Sequence, residues 1–141
     1  MSASVAIRPA APTDDAVVQL VASAGLPTAG LASAWRTWVA ERDGQVIGTA
    51  SLERHDDALL LRSVAVAAGL QGQGVGTRLV TTALTAASKV GPVALLTETA
   101  AGWFPRFGFT PVPRAALDPA LGASAELRGA CPDSAVAMLR P

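Results

Sequence analysis

The stretch from Ala58 to Glu98 constrains the fold more than any other. "ALLLRSVAV" is an almost unbroken apolar run, as expected of a strand covered on both faces. A glycine-rich loop follows, with Gly72, Gly74 and Gly76 at every second position. From Gln73 to Val90, apolar Val75, Leu79, Val80, Ala83, Leu84 and Ala87 recur at three- and four-residue spacing, which is one face of a helix. Gly91-Pro92 ends that helix, and "VALLTE" is a second buried strand. Strand, helix and strand in this order make a β-helix-β crossover in a mixed α/β domain.

The rest of the chain supplies more strands than helices. "VAIRP" reads as a short strand ended by Pro9, and "APTDDAVVQLVASAGLP" as a helix capped by Thr13. "TAGLASAWRTW" reads as a second, shorter helix. "WVAERDGQVIGTASLER" is a hairpin turning at Asp43-Gly44, and His55 to Asp57 form the next turn. "AAGWFPRFGF" is a short helix limited by Pro105 and leads into a strand at "FGFTPV". Pro113 to Asp133 is irregular, and "SAVAMLR" is a closing strand. With 141 residues, half of them apolar, the chain is expected to form one domain over residues 1–141 with an ordinary core.

Charge and residue usage remove several classes of function. Formal net charge is zero and Lys89 is the only lysine, so the basic face of a nucleic-acid binder is not expected. A single cysteine, Cys131, and a single histidine, His55, argue against an internal disulfide and a cysteine or two-histidine metal site. No apolar segment reaches the roughly 18 residues of a membrane span, and no signal peptide is evident. A cytoplasmic protein without membrane partners is the expectation.

The glycine loop is a candidate anion cradle. The first N–H groups of a helix lack internal partners, and the helix dipole adds positive charge there. Neither G-x-G-x-x-G nor G-x-x-x-x-G-K-[ST] fits, because Thr77 and Leu79 stand where the first needs glycine and no lysine follows. What remains is Gln71-x-x-Gly74-x-Gly76 between a buried strand and a helix. Gln71 adds a neutral donor, and Arg78 or Arg62 could add charge.

Strand, loop and helix together resemble the acetyl-coenzyme A site of the GNAT acyltransferases, whose signature is Q/R-x-x-G-x-G/A. The element order is similar along nearly the whole chain, and "TETAAGWFPRFGF" is similar to a second landmark of that family. The resemblance implies a mixed central sheet flanked by helices, with antiparallel N-terminal strands and a parallel, splayed central pair. It implies acetyl-CoA as cosubstrate. Val64, Ala65 and Val66 would pair with the pantetheine arm, and Gly72, Gln73, Gly74, Val75, Gly76 and Thr77 would hold the pyrophosphate, with Gln71 beside it. Phe104 would pack against the thioester. Members of the family often dimerise, so a homodimer is an expectation. "AGLPTAGL", "FPRFGFTPVPRAAL" and "AELRGACPDSAVAML" resemble more closely the subfamily linked to arsenic-resistance operons. That likeness suggests an amino-acid-like or organoarsenical amine as acceptor.

The chemistry implied is direct acetyl transfer to the amine of a small molecule in a ternary complex. It needs a neutral amine, a base for its proton, donors for the oxyanion and a leaving thiolate. The oxyanion donor would be a backbone amide near Val66. The family's usual proton donor is a tyrosine, and this chain has none; Phe104 stands in its place. Thr97 occupies the family's asparagine position. Glu98, Glu53, His55 and Glu126 are the candidate bases. Arg62, a charge inside "LLLRSV", is either paired at an exposed sheet edge or a clamp for an anion. A non-catalytic acyl-CoA binding module and a protein N-acetyltransferase are the competing readings.

Overall fold

The computed structural model describes residues 4–141. Seven strands form one sheet: β1 (Ala6–Ala10), β2 (Arg36–Arg42), β3 (Gln45–His55), β4 (Ala58–Val66), β5 (Val93–Thr97), β6 (Thr110–Val112) and β7 (Val136–Arg140). Their spatial order is β1-β2-β3-β4-β5-β7-β6. All neighbours run antiparallel except β4 and β5, the pair joined by the crossover helix α2 (Val75–Ala87). The hairpin turn at Asp43-Gly44 and the turn at Asp56-Asp57 lie where the sequence placed them, and Asp43 and Asp56 take positive φ.

The apolar positions sort the helices onto opposite faces of the sheet. Leu79, Val80, Ala83 and Ala87 of α2 pack with Trp38, Leu52, Leu59, Leu61 and Phe109. α1 (Asp15–Ser23) sets Val17 and Val21 against Leu31 and Val39 on the other face. Trp38 and Val39 thus point to opposite sides, as alternation along a strand requires. Leu60 meets Leu117 and Leu121 of the C-terminal segment, which covers the second half of the sheet. Each such buried Leu or Val contributes about 1.5–3 kcal/mol.

Three local expectations are corrected. Asp14, not Thr13, caps α1, its carboxylate accepting the N–H of Ala16 at 2.9 Å. β1 runs through Pro9 to Ala10, because β1 is an edge strand and tolerates the missing N–H. The second helix expected over Thr28–Trp38 is absent. Only a 3₁₀ turn at Leu31–Ser33 forms, and β2 begins at Arg36. Thr37, Trp38, Val39 and Ala40 are all buried, and pairing with β1 and β3 on both sides outweighs local helical spacing.

Gly48 sets the distance between β3 and α2. A Cβ there would lie 2.9 Å from Leu79 Cδ1 and 3.1 Å from Val75 Cγ1. Gly48→Ala should therefore destabilise the fold by about 1–3 kcal/mol through overpacking. Urea unfolding checks this, and an unchanged midpoint would contradict the close packing.

Candidate active site

The central parallel pair is joined over a short length only. β4 and β5 register at Leu59↔Val93 and Leu60↔Ala94; beyond this, β5 pairs with β7 alone. On its other side β4 stays paired to β3 as far as Val66. The β5-facing edge of Leu61 to Val66 therefore opens into a gap between diverging strands. The break coincides with a bulge: the register to β3 shifts between Thr49 and Ser51, and Ser63 adopts φ +59°. Ala67 donates its N–H to Ile47 on the β3 side at 2.8 Å. By alternation, the N–H of Val66 faces the gap, where the reaction proposed for an oxyanion donor would need it.

The glycine loop and the start of α2 form the floor of a groove of about 740 Å³. Gly72 and Gly74 take φ +81° and +83°, and no atom lies within 4 Å of a Cβ built on either. Their conformation demands glycine, and their outer side is open. Gly74 is the N-cap of α2, and the first main-chain bond into the helix is Arg78 N–H to the Gly74 carbonyl. The amides of Val75, Gly76 and Thr77 precede that bond and are the orphan donors of the helix end. Gly76 has another role: a Cβ there would meet the Trp103 indole at 3.5 Å, ordinary contact that leaves room for alanine. Val75 is buried, so only its backbone is available to a ligand, while Gln73 is exposed and lines neither this groove nor the cavity beside it. Gln71 lines both, and its amide points at the Val66 carbonyl from 3.4 Å.

The positive charge at the groove comes from a residue not expected from the sequence. Arg106 lines it, stacked 5.6 Å from the Trp103 ring and donating Nε–H to the Trp103 carbonyl at 2.8 Å. Arg78 instead donates to Val5, and Arg62 is buried elsewhere. Only the proximity of Arg106 to "GF" in the sequence could have signalled this.

A second cavity, of about 320 Å³, continues from the groove through Val64, Val66, Gln71 and Ala100, which line both. Ala65, Thr97, Glu98 and Phe104 also line it. Phe104 is buried, edge-on to Trp103 and Phe109. The Thr97 hydroxyl accepts the N–H of Ala100 at 3.0 Å and so shapes the turn after β5. Glu98 is exposed at the rim.

Arg62 forms the wall. It lies in the middle strand of the sheet and is 3% exposed, so the expected pairing at an exposed edge is corrected to an interior network. Its Nη1 donates to Glu53 Oε2 at 2.8 Å and to the Ala29 carbonyl at 2.9 Å. Nη2 donates to the Pro27 carbonyl at 2.9 Å, and Nε to Ser63 Oγ at 3.1 Å, with Glu126 Oε2 3.2 Å away. Four of its five N–H groups are given to protein oxygens and its charge is shared with two buried carboxylates, so Arg62 serves mainly to hold the wall together. Glu53 gives its second oxygen to His55 Nε2 at 2.7 Å and does not line the cavity. Glu53 therefore holds Arg62 rather than facing a substrate. Glu126 is buried and does line it. Burial raises the Glu126 pKa above 4.5; Arg62 opposes the rise and Glu53 adds to it. Burial, reinforced by the Glu126 carboxylate, pushes the Cys131 thiol up to about 12, so it stays protonated.

Among the described residues, no group of three or more His, Cys, Asp or Glu could hold a metal ion, and no helix is long and apolar enough to cross a membrane.

Comparison with known proteins agrees with this fold. Residues 33–111 match the family described as acetyltransferase (GNAT) domain. Among solved structures, the chain is similar to a GNAT-family acetyltransferase from Staphylococcus aureus, with a TM-score of 0.79 and 15% identity over 97% of this chain and 98% of that one. It is similar to Rv2747 from Mycobacterium tuberculosis, solved with CoA, at TM-score 0.75 and 24% identity over 96% and 98%. N-acetylglutamate synthase from Neisseria gonorrhoeae, solved with coenzyme A and N-acetyl-glutamate, gives TM-score 0.76 and 19% identity; 99% of this chain covers 35% of that chain. At these identities the likeness establishes the fold. No curated protein sequence matches the chain. The family match spans more than half of the sequence and includes β4, the glycine loop and α2, and the chain belongs to the GNAT acetyltransferase family.

Proposed function

We propose that the chain transfers an acetyl group from acetyl-CoA to the amine of a small molecule, by direct attack in a ternary complex. The observation that carries this reading is the junction of groove and cavity. A pyrophosphate on the amides of Gly72 to Thr77 leaves the pantetheine arm to run along Val64 to Val66. The thioester then lies where the groove opens into the cavity beside Phe104. The cavity volume of about 320 Å³ suits a small acceptor, near the lower end of ordinary ligand pockets. A protein substrate would need an open surface there, whereas the loop carrying Pro27 and the segment carrying Glu126 both contribute to the wall.

An amino-acid-like or organoarsenical acceptor is the finer part of the proposal. Its support is the subfamily resemblance of "AGLPTAGL" and "AELRGACPDSAVAML", which meet at this site. Gly30, in the first, stands against Ala125, in the second: a Cβ on Gly30 would lie 2.8 Å from Ala125 Cβ. The competing reading, acyl-CoA binding without chemistry, draws on the missing tyrosine. A thiolate is a good leaving group, so turnover without that acid is consistent with the proposal.

The direct test is free-thiol release from acetyl-CoA across a panel of small amines, amino acids and arsenical analogues included. Amine-dependent release with acetylated product in the mass spectrum is expected. Binding without release would leave the non-catalytic reading standing. Gly74→Val should weaken acetyl-CoA binding at least about tenfold in calorimetry, because a branched residue resists φ +83°. Unchanged affinity would remove the loop from the site. Glu98→Gln should raise the KM of a cationic amine about two- to fivefold, as loss of a rim charge does, and leave acetyl-CoA affinity intact. An unaltered KM would remove Glu98 from the acceptor path.

A further inference from the structure

We propose that Glu126 receives the acceptor as an ammonium ion and takes the proton the amine must lose before it attacks the thioester. This rests on the acetyltransferase reading above and names the base within it.

The argument begins with charge. Glu53, Arg62 and Glu126 form one buried cluster with two carboxylates to one guanidinium. With these three ionised and His55, bonded to Glu53, neutral, one negative charge is left over, and Glu126 is the carboxylate of that cluster that lines the cavity. The charged side chains lining the cavity are Arg62, Glu98 and Glu126. Arg62 gives four of its five N–H groups to Ser63, Ala29, Glu53 and Pro27, and its charge is already matched by Glu53 and Glu126. An anionic group entering here meets carboxylates and an occupied guanidinium. An ammonium group supplies the missing positive charge.

The other candidates are less well placed. Glu53 has both oxygens engaged and lies behind Arg62. His55 is bound to Glu53. Glu98 sits at the rim in water, where its attraction for a cation is screened. The Cys131 thiol is pushed up to about 12 by burial and by Glu126, so it stays protonated and is no base. The charged and titratable groups around Glu126 are thus Arg62 from β4, Glu53 from β3 and Cys131 from its own segment, with Arg114 acting on Cys131.

The step balances. The ammonium gives one proton to the Glu126 carboxylate and becomes a neutral amine. Its lone pair forms the N–C bond at the acetyl carbonyl, and the C–S bond breaks with the electron pair leaving on sulfur. The second nitrogen proton goes to the thiolate, and Glu126 returns its own to solvent. The products are the acetamide, CoA thiol and one proton. Burial favours the protonated carboxyl, which brings the base nearer neutral pH than an exposed glutamate. The base works deprotonated, so kcat/KM should rise with pH through this raised pKa.

The test compares wild type with Glu126→Gln, which can still accept from Arg62. Expected are unchanged acetyl-CoA affinity, a fall in kcat/KM for the amine of about a hundredfold or more, and loss of the acid limb of the pH profile. If Glu126→Gln no longer binds acetyl-CoA, Glu126→Asp keeps the charge but withdraws it; reduced kcat with the acid limb retained is expected, and full activity overturns the proposal. A Glu126→Gln enzyme with normal kcat/KM and an intact acid limb overturns the role of Glu126 alone, with the acetyltransferase reading untouched. Failure of wild type to release thiol with any amine overturns that reading and the base together.

Discussion

The cavity beside the central strands is assembled around the guanidinium of Arg62. It rises from the central strand and binds the loop after α1 through the carbonyls of Pro27 and Ala29, β3 through Glu53, and the C-terminal segment at Glu126. Three segments distant in the chain are thereby held over one cavity. Burying these charges is costly, and it is tolerated because each guanidinium nitrogen finds an oxygen. Removing the guanidinium alone would leave two carboxylates buried together, at a cost of about 3–5 kcal/mol. A charge in the middle of "LLLRSV" is thus the organising feature of the wall and not a binding group.

The groove beside the glycine loop depends on an interruption. A regular parallel sheet would close β5 onto β4 along its length and seal the backbone donors of Leu61 to Val66. Here the bulge at Ser63 and the antiparallel return of β7 draw β5 away after Ala94. The same Ser63 accepts the Nε–H of Arg62 on its hydroxyl oxygen. The distortion that opens the β4 edge is therefore tied to the residue that builds the cavity wall, which in the proposed function would bring the thioester and the amine to a common point.

Much of this is legible in the chain because each part has a local cause. The crossover follows from two apolar strands around a strongly periodic helix, and the loop from glycines that only a positive φ or a close approach would justify. The stretch Thr28–Trp38 departs from its local helical reading because the pairing of β2 with β1 and β3 is a non-local effect. The partnership of Arg62 with Glu53 and Glu126 joins residues 9 and 64 positions away, and no spacing rule reports it. Arg106 escaped notice because its value lies in a stack on Trp103 across the mouth of the groove. Glu126 was visible only as one acid among several until burial set it apart from Glu98.

Amide hydrogen exchange with and without acetyl-CoA tests the central claim most directly, since that claim is about which backbone groups face the cofactor. Protection concentrated at Leu61–Val66 and Gly72–Thr77 is the result expected. Binding that leaves those two stretches unprotected, or protects a different face of the sheet, would contradict the account.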